Sequence, residues 1–261
     1  MTHIKMPAVA GLFYPGSAVD LRRDIDHYLQ VADVGDNKRP LALIAPHAGY
    51  VYSGPVAANA YATLQPWAAD IRRVVVLAPS HRVPFAGIAL SSADSFRTPL
   101  GDVPVDKQAN EALAGLPGVH VFDAAFAQEH ALEVQLPFLQ TVLDRFTLVP
   151  LVIGDADSDD VQRAIETLQD QATLIVVSSD LSHYHDYRTA QVRDRETTRL
   201  IENLRDRDIG PHDACGAYPI RGLLKSAKHN GWRVKTLDLR NSGDTAGDRS
   251  RVVGYGAYAF Y

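Results

Sequence analysis

The sequence lacks the features that mark secreted, membrane-spanning and disulfide-rich proteins. Among its 261 residues there is a single cysteine, so no intramolecular disulfide can form, which favours a reducing compartment. No apolar run approaches the roughly 20 residues that a membrane-spanning helix needs. The first residues, MTHIKMPAVAG, also lack the basic region and the long apolar region of a signal peptide. We therefore expect a cytoplasmic protein that does not enter a membrane.

An excess of positive charge is also absent. The chain has 26 Lys and Arg against 31 Asp and Glu, which gives a formal net charge of -5. Nucleic acids and anionic membrane surfaces select clustered basic residues, so we expect neither as a partner. A small neutral or polar molecule is the substrate that this composition favours.

The sequence does contain an alternation of strand-like and helix-like segments over residues 1–261, which predicts a single α/β domain. Continuous apolar runs such as LALIAP and RRVVVLAPS are typical of strands buried on both faces, and SGPVAANAYATL between them suits the crossover helix of a βαβ unit. Ser17 is placed to cap a helix with Leu21, Ile25 and Leu29 on one face. The final run, RVVGYGAYAFY, alternates enough to predict an antiparallel, half-exposed strand.

Three of the ten histidines follow buried strands directly. His47 comes after LALIAP, His81 after VVVLAPS, and His183 after LIVVSSDLS. Parallel strands bring their carboxyl ends to one edge of a sheet, where ligands bind in open α/β folds. One histidine at a strand end is an ordinary surface residue, but three in equivalent places indicate a metal or acid–base site. His185, two residues after His183, is an alternative to it.

Cys215 is the next candidate, in the segment HDACGAYPIRG. Free cysteines are usually buried and inert. However, this one lies in a loop just before a predicted helix, whose amide groups would favour a thiolate. A thiolate with two imidazoles suits Cu, Zn or Fe(II).

Several neighbouring polar residues have two possible roles. Glu129, beside His130 in QEHALEVQ, either accepts a hydrogen bond from a ligand imidazole or is an ordinary acidic residue at a helix N-terminus. Asp180 either caps the following helix or orients His183. Tyr50 either lines the pocket with aromatic surface or packs in the core. We therefore expect Glu129, His130, Asp180 and Tyr50 around the site, with their roles open.

Six motifs together resemble the Memo family, and the match runs nearly from end to end. They are PAVAGLFYPG, APHAGYVYSG, APSHRVPFAGIALSSADSFRTPLGDVPVD, QEHALEVQLPFL, VSSDLSHY and CGAYPI. Bacterial and archaeal members of this family are called protein B of the AmmeMemoRadiSam system. The family is similar in fold to class III extradiol dioxygenases, which implies a three-layer α/β/α sandwich around a mixed, mostly parallel sheet.

The resemblance also implies functional residues and partners. It places His47, His81 and Cys215 around a metal or reactive centre, with Fe(II) or Cu as the metal and Zn as a further candidate. It makes His183 either a residue that supports the metal ligands or the acid–base histidine, and it implies a radical-SAM enzyme and an AMMECR-type protein as partners. Dioxygenase iron is held by two histidines and a carboxylate, whereas here the third group is Cys215, so ring cleavage does not carry over.

Three functional hypotheses follow. The first is a metal-dependent oxidoreductase that binds Fe or Cu through His47, His81 and Cys215, with His183 moving a proton. The second is a non-catalytic module that binds a peptide or protein in the same crevice. The third is an enzyme in which Cys215 is the nucleophile and His47 or His183 its base.

Overall fold

The computed structural model describes residues 2–33 and 38–261. Helices and strands alternate along the chain. The strands are β1 (Ile4–Lys5), β2 (Ala42–Ala45), β3 (Arg73–Pro79), β4 (Ile88–Leu90), β5 (Ser95–Thr98), β6 (Gly101–Pro104), β7 (Val119–Val121), β8 (Thr147–Ile153), β9 (Thr173–Ser178), β10 (His183–His185), β11 (Val234–Asn241) and β12 (Val252–Phe260). The helices are α1 (Ala18–Gln30), α2 (Tyr50–Ala62), α3 (Lys107–Ala114), α4 (Ala124–Ala127), α5 (Leu136–Val142), α6 (Ser158–Leu168), α7 (Tyr187–Glu202), α8 (Ala217–Asn230) and α9 (Ser242–Thr245).

A mixed sheet of nine strands forms the centre of the described part of the chain. Its order is β10–β12–β2–β9–β3–β8–β4–β7, and β11 also pairs with β12. The four strands β2, β9, β3 and β8 are mutually parallel, whereas β12 is antiparallel to β2, and β4 is antiparallel to β8. The carboxyl ends of the four parallel strands therefore meet at one edge of the sheet.

Helices cover both faces of this sheet. Alternate residues of β3 point to opposite sides: Val74 and Val76 belong to one hydrophobic cluster, and Val75 and Leu77 to another. Helices α1, α2 and α5 contribute to the first cluster, and α6 and α8 to the second. Burial on both faces explains why these strands are continuous apolar runs. The chain thus has a mixed α/β fold built around one large sheet.

Several elements agree with the sequence prediction, and one differs. Helix α1 starts after Ser17, whose hydroxyl accepts a hydrogen bond from the Asp20 amide, and Leu21, Ile25 and Leu29 are buried. The predicted βαβ unit forms with α2 as its crossover, but β9 lies between its two strands. Strand β12 is antiparallel, yet it is buried nearly throughout instead of half exposed, because α2 and α7 pack against it.

Within the described residues, no helix is both long enough and apolar enough to cross a membrane.

Candidate metal centre

Three histidine side chains meet at the carboxyl edge of the parallel strands. His47 follows β2, His81 follows β3, and His130 lies between α4 and a short 3-10 turn, Glu133–Gln135. One ring nitrogen of each lies within 4.8 Å of the other two. The ring centroids of His81 and His130 are 4.7 Å apart, and those of His47 and His81 are 5.1 Å apart. This spacing is short enough for a single metal ion to contact all three rings after a small adjustment of the side chains.

The hydrogen bonds of Ser178, at the end of β9, fix the tautomer of His47. Ser178 Oγ donates its proton to the carbonyl oxygen of Ala131 at 2.6 Å and accepts a hydrogen bond from Gln135 Nε2 at 2.7 Å. A hydroxyl has only one proton, so in the third contact, at 2.9 Å, His47 Nδ1 is the donor. The free lone pair of His47 is therefore on Nε2, as required of a metal ligand.

Glu129 fixes His81 in the same way. Its Oε1 accepts a hydrogen bond from His81 Nδ1 at 2.9 Å, and its Oε2 accepts one from the His81 amide at 2.7 Å. Burial would raise the pKa of Glu129, but the hydrogen bonds that it accepts from His81 and from the Ala131 amide lower it to about 2. Glu129 is therefore a carboxylate, and it leaves the Nε2 lone pair of His81 free.

His130 differs from the other two imidazoles. Its Nδ1 is buried and has no hydrogen-bond partner among the described residues, although Glu129 Oε1 lies 3.4 Å away. Burial, helped by the charge of His47, lowers the pKa of His130 to about 4, and burial also lowers the pKa of His47 well below its usual value. Both rings are thus neutral at physiological pH, which is the form that binds metals.

Cys215 and Asp180 lie beside this cluster. The Cys215 sulfur is 3.2 Å from His47 Nε2, but within the described chain it is not part of the group of three mutually close ligands. It accepts a hydrogen bond from the Asp180 amide at 3.2 Å. Burial raises the pKa of the thiol, and the charge of Asp180 adds to this shift. The structure therefore brings the sulfur to His47 as a protonated thiol.

Asp180 has a different contact from the two that the sequence suggested. Its Oδ1 accepts a hydrogen bond from the His47 amide at 2.8 Å, and its Oδ2 lies 4.0 Å from His47 Nε2. Burial raises its pKa, and the hydrogen bond from His47 opposes the shift. Asp180 thus holds the backbone of His47, and no hydrogen bond to α7 or to His183 is present in the described residues.

His183 lies near the three imidazoles but does not belong to their cluster. His183 is half-buried in β10, outside the group of three, and its Nδ1 donates to the carbonyl oxygen of Leu181 at 2.8 Å, which leaves Nε2 free. Its charge contributes to the lowered pKa of His47, so it lies near the cluster.

Tyr50 is buried, donates a hydrogen bond to the Val134 carbonyl at 2.7 Å and packs on Phe138. Tyr50 therefore packs in the core and is not part of the pocket lining.

Comparison with known proteins supports the same assignment as the motifs. The family model described as "Memo-like protein" matches residues 5–259. The chain belongs to the Memo family. A MEMO1 family protein of Methanopyrus kandleri is 35% identical over 98% of both chains, and one of Aquifex aeolicus is 34% identical over 97% of both.

A solved structure supports the fold of this Memo-family chain. An uncharacterised protein from Escherichia coli K12 has a TM-score of 0.52, with 84% of this chain and 99% of that chain covered. At 14% sequence identity, the likeness concerns the fold alone.

Three functional positions were not predicted as such from the sequence. Ser178 and Gln135 fix the tautomer of His47, and His130, expected only near the site, is the third imidazole of the cluster. The available signal was the pair Glu129–His130, since a carboxylate next to a histidine is common around metals. Nothing in the local sequence indicates the role of Ser178, because it depends on β9 lying next to β2 in the sheet.

Proposed function

We propose that this Memo-family protein is a metal-dependent enzyme of the oxidoreductase type that acts on a small molecule or a peptide. The main support for this proposal is the cluster of three imidazoles. His47 and His81 have Nδ1 engaged as a donor, so the lone pair of each ring is on Nε2, and Nε2 of His47 lies 3.2 Å from the Cys215 sulfur. Three imidazoles with ring nitrogens within 4.8 Å of one another, two of them with the lone pair on Nε2, are a donor set that fits a metal ion. Imidazole ligands suit Fe(II), Cu and Zn.

The surrounding residues have definite tasks in this proposal. His47, His81 and His130 would hold the ion, which supplies Lewis-acid or redox chemistry when bound. Glu129 keeps the His81 ring oriented and provides a negative charge next to it. Asp180 fixes the backbone of His47. His183, with its Nε2 free, transfers a proton to or from the substrate.

Cys215 is proposed as an additional ligand. Its sulfur lies 3.2 Å from His47 Nε2, and two ligand atoms of one tetrahedral ion are separated by roughly 3–4 Å. A cation at this position would favour the thiolate over the thiol and so oppose the effect of burial. The proposed set is therefore three imidazoles with a thiolate, in place of the two histidines and thiolate suggested by the resemblance.

The fold relationship is part of the same proposal. A mixed sheet with helices on both faces and a histidine cluster at the carboxyl edge supports a sandwich related to class III extradiol dioxygenases. The ligand set of this chain lacks the carboxylate ligand of those enzymes. Ring opening of catechols is therefore not part of the proposal.

The test is the metal content of untagged protein purified without oxygen, measured by mass spectrometry. We expect close to one equivalent of iron or copper in the wild type and a loss of most of it in His47→Ala and His81→Ala. His229→Ala, at an exposed surface histidine, is the control and should keep its metal. Cys215→Ser in the same series should shift the preference from copper towards harder ions. Full metal content in either alanine variant of the cluster would contradict the proposal.

A further inference from the structure

The three imidazoles of the cluster are held by different means. A hydrogen bond to Ser178 orients His47, and a hydrogen bond to Glu129 orients His81. Histidines that bind metals nearly always have such a partner. His130 has no hydrogen bond at its buried Nδ1 within the described chain, and Glu129 Oε1 lies 3.4 Å from it, so another contact helps to set the angle of its ring.

Among the described residues, Phe13 has the aromatic ring that lies against His130 besides the rings of His47 and His81. Its ring centroid lies 4.8 Å from that of His130, with the planes inclined at 56°. Phe13 belongs to residues 8–14, here called the N-terminal loop, which precede α1. The segment belongs to the motif PAVAGLFYPG, which none of the roles described so far explains.

Glu133 anchors the N-terminal loop next to His130. Its buried carboxylate accepts hydrogen bonds from the amides of Ala8 at 2.6 Å and Val9 at 3.0 Å and from the hydroxyl of Tyr14 at 2.6 Å. Glu133 opens the 3-10 turn that follows His130, and the amide of the next residue, Val134, bonds the His130 carbonyl. The loop is thus fixed to the segment that carries His130.

The loop is also fixed to the segment that carries His47. The amide of Tyr50 donates to the carbonyl oxygen of Phe13 at 2.7 Å. A Cβ at Gly49 would lie 3.5 Å from that oxygen, so the two backbones are in close contact. The N-terminal loop therefore connects the chain after His47 to the chain after His130, and Phe13 lies between these two attachments.

We infer that the N-terminal loop is part of the metal centre and that Phe13 is the positioning residue of His130. The ring contact restricts rotation of the imidazole, as the hydrogen bonds to Ser178 and Glu129 do for the other two. This inference rests on the proposed function, because it assigns Phe13 a role toward a metal held by His130. Loss of an orienting neighbour typically lowers metal affinity about 10- to 100-fold, and we expect an effect in this range for Phe13→Ala.

The experiment is a double-mutant cycle of metal affinity. Zn²⁺ affinity is measured by chelator competition for the wild type, Phe13→Ala, His130→Ala and the double variant, and Co²⁺ absorption reports the number of ligands. Leu12→Ala, whose side chain is 81% exposed in the same loop, is the matched control. Phe13→Tyr, which keeps the ring, should restore the affinity. If Phe13→Ala does not fold, Phe13→Leu replaces it in the cycle.

The expected result is about a tenfold or larger loss of affinity in Phe13→Ala, with less than a twofold effect of the same change when His130 is absent. The Co²⁺ spectrum of Phe13→Ala should resemble that of His130→Ala. An equal loss in both backgrounds, or no loss, would show that Phe13 does not act through His130. A wild type that binds no metal would instead overturn the proposed function itself.

Discussion

Ser178 is fully buried, and its one proton decides which nitrogen of His47 is available. Because the proton is donated to a carbonyl group, the hydroxyl can only accept from His47, and the Nε2 lone pair stays free. Glu129 achieves the same result for His81 with a negative charge. Two residues that do not themselves need to touch the ion thus prepare the imidazoles for it.

Replacement of Ser178 should therefore weaken metal binding. In Ser178→Ala, His47 loses its acceptor at Nδ1 and can place its proton on either nitrogen, so we expect Zn²⁺ affinity to fall by about tenfold. Chelator competition measures the affinity, and ¹⁵N chemical shifts of the imidazole show the tautomer. Ser226→Ala is the control, since that hydroxyl is equally buried and has no partner in the described structure. If His47 became a mixture of tautomers while the Zn²⁺ affinity stayed unchanged, the tautomer of His47 would not control metal binding.

The buried carboxyl of Asp194 makes the free energy of unfolding depend on pH. It accepts a hydrogen bond from the Ser182 amide at 3.0 Å and packs where Gly254 has no side chain, and burial raises its pKa to about 6. An unfolded Asp titrates near 3.9, so between about pH 4 and 6 the folded state binds more protons than the unfolded state. The contribution of Asp194 to stability is thus greatest at low pH and declines as pH rises through 6.

Asp194→Asn should remove this dependence. Relative to the wild type, we expect the variant to gain stability as pH rises from 4.5 to 7.5, by about 2 kcal/mol, because about 1.5 pKa units of the shift lie above pH 4.5. Urea unfolding of both proteins at the two pH values gives the difference. A difference that does not change with pH would mean that the Asp194 carboxyl titrates normally.

At the scale of elements, the close contact of α6 and α8 depends on a glycine. A Cβ at Gly222 of α8 would lie 2.2 Å from Val161 Cγ1 of α6, and the neighbouring backbone leaves little room for adjustment. The two helices therefore meet at a distance that only glycine permits here.

Gly222→Ala should push these helices apart. Overpacking typically costs about 1–3 kcal/mol, which exceeds the gain in helix propensity from alanine, so the free energy of unfolding should fall. Gly115→Ala is the control, because a Cβ there meets no atom within 4 Å. Chemical unfolding compares the two variants, and a loss of stability in Gly115→Ala as large as in Gly222→Ala would argue against a role for the helix contact.

The sequence predicts most elements but not their arrangement. Strands β2, β3 and β9 were evident because a strand covered on both faces must be apolar throughout. The small sheet of β1, β5 and β6 was not predicted, since these strands are short and Ile4 pairs with the distant Ser95. The position of β9 between β2 and β3 likewise has no local signal.

The same distinction applies to the site. The rule that parallel strands end at one edge predicted that His47 and His81 would lie together, and the structure brings them together. His130 follows the four-residue helix α4 instead of a strand, so periodicity could not place its ring. Its contact with Phe13 and the bonds of Ser178 are tertiary and depend on the completed sheet.

At the scale of the whole molecule, a bound ion should stabilise the fold. His47, His81 and His130 come from three separate segments, so a metal that binds all three favours the folded over the unfolded chain. At a free Zn²⁺ concentration of 100 Kd this linkage contributes about 2.7 kcal/mol.

For a chain of this size we expect a rise in Tm of roughly 5–10 °C at that concentration. Differential scanning fluorimetry with and without Zn²⁺ measures the shift. His81→Ala should show a much smaller shift, whereas His229→Ala should behave as the wild type. An equal rise in His81→Ala would place the stabilising ion elsewhere.

During synthesis on the ribosome, strand β2 cannot pair with its neighbours β9 and β12 until much later, because both follow it in the chain. Ile44 pairs with Val177 of β9 on one side and with Tyr258 of β12 on the other. At about 5–20 residues per second, translation leaves the apolar segment LALIAP without its partners for on the order of ten seconds. During this interval a chaperone has time to bind it. His47 follows this strand, so we expect the ion to be inserted only into a chain whose last strand has already been made.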